Sequence, residues 1–120
     1  MKQNDTIATL SFEFAIQIVR ICNQLIIGKE YVLSKQLLRS GTSIGANVEE
    51  ASAAQSKRDF IAKMSIASKE ARETRYWLKL ITVSKITSLD LTLLLEKIEV
   101  IIKILTKIVK TAQQNLSQNT

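Results

Sequence analysis

Apolar residues recur at three- and four-residue intervals over four long segments, the spacing of helices with one buried stripe. Phe14, Ile18, Ile21, Cys22 and Leu25 form the first stripe. It predicts a helix from about Ser11, whose hydroxyl would cap the free amides, to Gly28, which would end it in the left-handed conformation before a short turn at Lys29 and Glu30. Leu33, Leu37, Ile44, Val48 and Ala51 supply the inner face of a second helix over Val32 to Ala54, interrupted by Gly41. Ser56-Lys57-Arg58-Asp59 has the form of a capping box with aspartate in place of glutamate. It opens a third helix whose inward residues are Phe60, Met64, Ala67, Ala71, Leu78 and Ile81, ending near Ser84. In the fourth, Ser88 is the expected cap and Asp90 favours the positive end; Leu94, Ile98, Ile101, Ile102, Leu105, Ile108 and Val109 follow. Beyond Thr111 the chain turns polar, and QQNLSQNT is expected to fray.

Four amphipathic helices joined by short turns predict an all-α, antiparallel up-down-up-down four-helix bundle. The 120 residues form a single domain, 1–120, with an ordered helical core over about 11–112 and polar flexible termini. Proline is absent and only Gly28, Gly41 and Gly45 are glycine, too few for the tight turns of a small β-sandwich. Gly41 and Gly45 lie four apart on one side of the second helix, in a small-residue stretch that lets another backbone approach closely. Their combined cost in helix propensity is about 1–2 kcal/mol. Close approach of a partner helix, packing within the chain and a bend near Thr42 and Ser43 are the three readings. A phosphate loop is not one, because no strand precedes the stretch. The fourth helix is apolar over a wider arc than a single stripe requires, which predicts a second buried face and self-association.

Chemistry narrows the classes further. Cys22 is the single cysteine, so no intrachain disulfide can form, and it reads as a small buried hydrophobe. The N-terminal apolar run is too short for a signal peptide, and no stretch reaches 18 uncharged apolar residues. The expectation is a cytoplasmic protein without a membrane partner. Histidine is absent, which removes the usual proton shuttle and the commonest metal ligand. The carboxylates lack the Glu-x-x-His motifs of a di-metal bundle. No catalytic residue, metal site or cofactor is therefore expected, and the chain does not read as an enzyme. Glu70 is expected to pair with Arg39 or Arg75, and Glu73 with a neighbour of Arg72 or a lysine on an adjacent helix, as packing contacts.

Lysine and arginine number 17 against 11 acids, a formal charge of +6. Arg72, Arg75 and Lys79 share one side of the third helix; Lys57, Arg58 and Lys63 cluster at its start; Lys103, Lys107 and Lys110 line one side of the fourth. Such rows suit phosphates along an RNA or DNA backbone, independently of base sequence; the plainer reading is a solvated basic face. The few aromatics form no stacking series, so binding would be electrostatic and weakly sequence-specific. The competing class is a protein-interaction scaffold that binds no nucleic acid, built on the small residues from Gly41 to Ala54 and the broad apolar face of the fourth helix.

Gln36 to Ala51, QLLRSGTSIGANVEEA, resembles the signature of the four-helix-bundle proteins encoded within intervening sequences of bacterial 23S ribosomal RNA genes, often labelled S23 ribosomal proteins. Gln36, Leu37, Arg39, Ser43, Ile44, Ala46, Asn47 and Glu50 match its pattern, and Ser68 to Leu78, with Glu70 and Glu73, resembles its second signature. Phe60 and Ile61 fit the family's entrance to its third helix. Gly45 stands where the family usually has proline, which relaxes a bend, and Ala51 where it often has glycine, which makes the passage toward Ser56 more helical. The resemblance implies a ring-shaped homo-oligomer, a homopentamer, with Arg39, Ser43, Asn47, Glu50, Glu70 and Glu73 as structural motif residues and no catalytic residue to carry over. A related branch comprises accessory proteins of diversity-generating retroelements, basic barrels that associate with a reverse transcriptase and nucleic acid. A reverse transcriptase partner is thus implied only where one is encoded nearby.

Overall fold

The computed structural model describes residues 3–118 and consists of four helices: α1 (Gln3–Ile27), α2 (Val32–Ser52), α3 (Lys57–Ser84) and α4 (Thr92–Gln118). Each helix packs on the next, and α4 returns against α1 to close the square, while the diagonal helices stand further apart across the core. This is the up-down-up-down bundle that the apolar periodicity predicts. Its long axis measures 52 Å against 25 and 22 Å across.

The helix ends follow local chemistry, with four departures from the expected boundaries. Ser56 caps α3 as predicted, its hydroxyl accepting from the Asp59 amide at 3.0 Å, while Asp59 reaches back to the Gln55 amide at 3.4 Å. Ser11, in contrast, is an interior residue of α1: the helix begins two turns earlier, and the buried Ser11 hydroxyl donates to the Ala8 carbonyl. Ile7, fully buried, extends the inner stripe in that direction. Gly28 does not take up the left-handed conformation; Lys29 does, with φ 68°. The Lys29 amide bonds the Ile26 carbonyl at 2.8 Å and the Glu30 amide bonds the Leu25 carbonyl at 2.8 Å, which together make a Schellman motif with lysine in the glycine position. At the start of α4 the first amide, that of Thr92, is taken by Asp90 at 3.0 Å rather than by Ser88, while Thr87 accepts from the Leu89 amide in the turn before it. The fourth departure is at the far end, where α4 continues to Gln118 because Ala112 and Leu116 prolong the stripe of Ile108 and remain partly covered.

The core is a continuous cluster from all four helices, with Phe14, Ile18, Leu37, Ile44, Met64, Leu78, Ile98 and Leu105 among its buried members. Gly41 and Gly45 face α1: a Cβ at position 41 would stand 2.9 Å from Ile18 Cγ2, and one at 45 would stand 3.4 Å from the Ser11 carbonyl oxygen. The small-residue seam is thus a contact within the chain. α2 runs unbroken through Thr42 and Ser43, whose hydroxyls donate to carbonyls one turn back. Across the α2–α3 seam the buried Ser40 and Thr74 hydroxyls share a hydrogen bond of 2.9 Å, and the Glu70 carbonyl, 2.8 Å from Thr74 Oγ1, takes up the remaining donor capacity.

The apolar breadth of α4 has a different destination from the one expected. Ile101, Ile102, Leu105 and Ile108 are all buried within the single chain, and only Leu93 and Val100 of its large apolar residues are well exposed. α4 is wide because it fills the space between α1 and α3. The uncovered stripe lies on α1, where Phe12, Ile16, Val19 and Ile26 follow helical spacing on the outer side, Phe12 being 67% exposed. This second stripe makes Thr6–Ile27 long and apolar enough to cross a membrane by length and composition, although the opposite stripe of the same helix is core.

Candidate nucleic-acid interface

The basic residues singled out in the sequence divide into those held by partners and those left free. Arg75 bonds Glu99 of α4 at 3.1 and 3.3 Å, and Lys63 bonds Glu50 of α2 at 3.2 Å. Both charges are therefore largely compensated, and Lys63 turns toward α2, away from the rest of the set. Arg72 donates from Nη2 to the Thr106 hydroxyl at 3.0 Å. Among the described residues, Lys57, Arg58, Lys79, Lys103, Lys107 and Lys110 are exposed and make no ion pair or hydrogen bond within the chain through their side chains.

Antiparallel packing sets the first half of α3 beside the second half of α4. Between them runs a shallow groove of about 250 Å³ lined by Ser65, Ser68, Arg72, Thr106, Val109, Lys110 and Gln113. Its lining carries two cations, several neutral hydrogen-bonding groups and no carboxylate. From Val100 to Gln118 α4 contains no acidic residue, while Lys103 and Lys107 continue the basic surface outward. A second hollow, of about 410 Å³, lies further along the same helix pair, with Arg58 and Ser117 among its lining residues. The arrangement concentrates positive charge at one end of one face, where it can act on a polyanion at short range.

The motif residues build something different. Arg39 lies between Glu70, at 3.2 Å, and Glu73, and the Trp77 indole donates to the same Glu73 carboxylate at 2.9 Å. Tyr76 meets Trp77 edge-on with ring centroids 5.0 Å apart. Behind Arg39, Ser43 donates to its carbonyl and Asn47 donates to the Ser43 carbonyl at 2.8 Å. The Arg39 contacts brace α2 against α3, with Glu50 and Lys63 continuing the brace toward the α2–α3 turn, while the Ser43 and Asn47 bonds stay within α2 and the Trp77 bond within α3. The expected Arg39–Glu70 pair is present. Sequence reasoning missed that Arg39 takes Glu73 as well; the placement of Trp77 one turn after Glu73 was the available signal for the indole contact.

Cys22 is buried, its thiol donates to the Ser34 carbonyl at 3.4 Å, and desolvation pushes its pKa up to about 11, away from the reactive thiolate. Among the described residues no three or more Cys, Asp and Glu side chains stand together as metal ligands would. A cavity of about 550 Å³ at the α2–α3 end is floored by Val48, Ala51, Phe60 and Met64 and rimmed by Glu49, Ser56 and Lys57, without a paired acid and base in hydrogen-bond contact.

The pattern that defines the 23S rRNA-intervening sequence protein family matches residues 3–107. Among solved structures, the chain is similar to a protein of unknown function from the S23 ribosomal protein family of Bacteroides thetaiotaomicron VPI-5482. The two are 43% identical, the match covers 91% of this chain and 99% of that one, and the TM-score is 0.86. No curated protein matches. With the family pattern spanning most of its length and a close structural relative of the same fold, the chain belongs to the 23S rRNA-intervening sequence protein family.

Proposed function

We propose that this protein is a nonenzymatic, self-associating cytoplasmic bundle that binds structured RNA or DNA through its basic helix faces. The observation that carries the proposal is the acid-free α3–α4 groove, where Arg72 and Lys110 stand together and Lys103 and Lys107 extend the charge. Arg39, Lys63 and Arg75 are answered by acids, whereas the cations of this groove are not. Exposed cations without partners displace counterions from a phosphate backbone, so affinity falls steeply with salt.

The test is binding to structured RNA and duplex DNA at two salt concentrations. Strong salt dependence supports phosphate contact, and no binding at low salt rejects it. Replacing Lys103, Lys107 and Lys110 together with glutamine should flatten the log–log salt slope by about 2–3, since each neutralised phosphate contributes roughly 0.9.

Self-association is supported by the uncovered α1 stripe, and a homopentameric ring by the family resemblance. The same stripe favours a second reading, a scaffold that captures another protein without nucleic acid. Affinity capture after nuclease treatment separates the two: a partner retained through digestion belongs to the scaffold reading. A reverse transcriptase is a candidate partner only where the gene neighbourhood encodes one.

A further inference from the structure

We infer that the α3–α4 groove takes the sugar-phosphate backbone of double-stranded nucleic acid in preference to a single strand, with Arg72 seating a phosphate at its centre. The inference rests on the nucleic-acid reading above and specifies the form of ligand and the anchoring residue.

Arg72 is held differently from the arginines that brace the bundle. Arg39 and Arg75 spend their guanidinium donors on carboxylates. Arg72 spends one on the neutral hydroxyl of Thr106, which in turn donates to the Ile102 carbonyl at 2.7 Å and so presents a lone pair to the arginine. The guanidinium is thereby aimed while its charge stays uncompensated and most of its five donors stay available. A planar fork of this kind grips phosphate oxygens in pairs. Ser65 and Ser68 add neutral donors on the α3 wall, and Lys110 adds a second cation on the α4 wall.

The surroundings select for a duplex. Packed helix axes lie about 8–10 Å apart, and the Lys103–Lys110 row rises about 10 Å along α4. The face is straight, stiff and cationic over that span, a match for a rigid array carrying about one charge per 1.7 Å of duplex axis. Non-specific single-strand binders add aromatic platforms on which bases stack. The exposed aromatics Phe12, Tyr31 and Tyr76 do not line this groove. With phosphate donors and no stacking surface, the groove gains nothing from unpaired bases.

The experiment is fluorescence anisotropy of the full chain with a short RNA duplex, a DNA duplex of equal length and a uridine-only RNA strand of equal phosphate number. Duplexes should bind about tenfold more tightly than the single strand, in keeping with a backbone-only contact. Arg72→Ala should lower duplex affinity about tenfold, and Thr106→Val, which keeps the charge but frees the guanidinium, about threefold. Circular dichroism confirms that both variants keep the helical content of the parent chain. Equal binding of the single strand overturns the inference, as does unchanged duplex affinity in Arg72→Ala while the triple lysine variant loses it. Absence of binding to any of the three probes overturns the underlying nucleic-acid reading as well.

Discussion

Gly41 lies directly against Ile18, so that a Cβ on the glycine would approach Ile18 Cγ2 to 2.9 Å. Ile18 is fully buried and branched at Cβ, and its side chain has little freedom to withdraw. Gly41→Leu should therefore destabilise the bundle by about 1–3 kcal/mol. Gly45 provides the internal comparison, because its Cβ would meet the Ser11 carbonyl at an ordinary 3.4 Å. Gly45→Ala should stabilise by about 0.5–1 kcal/mol through helix propensity alone. Urea denaturation of the two variants reads both signs, and a neutral Gly41→Leu would refute the close seam.

Lys29 occupies the left-handed position that ends α1. A side chain there costs about 1–2 kcal/mol relative to the right-handed region, and glycine recovers most of it at some expense in unfolded-state entropy. Lys29→Gly should raise stability by about 0.5–1 kcal/mol. Loss of stability instead would mean that the lysine stem packs on α1 in a way that outweighs its backbone strain.

Removing Arg39 leaves Glu70 and Glu73 as like charges one turn apart on α3. Arg39→Gln is expected to cost about 1–2 kcal/mol, toward the lower figure because the arginine is half-exposed. The loss should shrink at high salt. A double-mutant cycle with Glu70→Gln measures the coupling, and zero coupling would reduce the brace to a surface contact.

Assembly can be measured without knowing any ligand. Light scattering across a dilution series should give a species near five times 13.5 kDa at micromolar concentration. Phe12→Glu combined with Val19→Lys, both on the uncovered α1 stripe, should release the 13.5 kDa chain with its helical content intact. A parent protein that is already sharply monomeric would end the self-association proposal.

Two titrations act on stability in opposite directions. Burial raises the Cys22 thiol to about 11, so its contribution is complete below the unfolded thiol's range of about 8.5–9 and is lost as pH rises through 11. The Asp90 carboxylate is held below its ordinary 3.8 by hydrogen bonds from the Thr92 side chain and backbone. Its contribution is present above 3.8 and is lost as pH falls through the lowered value. Iodoacetamide at mildly alkaline pH should label Cys22 only at the rate of global unfolding. Fast labelling of the native bundle would show an open path to the thiol.

Helix number, order and inner faces were legible because the 3.6-residue period persists over long segments with few breakers. The ends were less legible where two residues compete for one role. Gly28 looked like the left-handed terminator, yet the pattern of carbonyl acceptors put Lys29 there. Ser11 looked like a cap because Ile7 alone, a single residue beyond it, signals that the stripe continues. The basic face was legible as residue types only. That Arg75 is answered by Glu99 while Arg72 finds a neutral hydroxyl depends on the angular facing of α3 and α4, which periodicity does not encode. The same limit hid the reason for the width of α4, which is needed between two neighbours, and the outward stripe of α1 at Phe12, Ile16, Val19 and Ile26.

The Ser40–Thr74 pair has a consequence for how the helices find their alignment. Apolar stripes are forgiving: α2 sliding by one turn along α3 would still set aliphatic groups against aliphatic groups. Two hydroxyls in a dry seam are less forgiving, because a slide breaks the bond between them and leaves each with only a carbonyl of its own helix, at a cost of about 0.5–1.5 kcal/mol. The pair thus works as a vernier mark, admitting one longitudinal setting of α2 on α3 and rejecting the neighbouring ones. Since Glu70 and Glu73 ride on the same α3, that mark also fixes the height at which they meet Arg39 of α2.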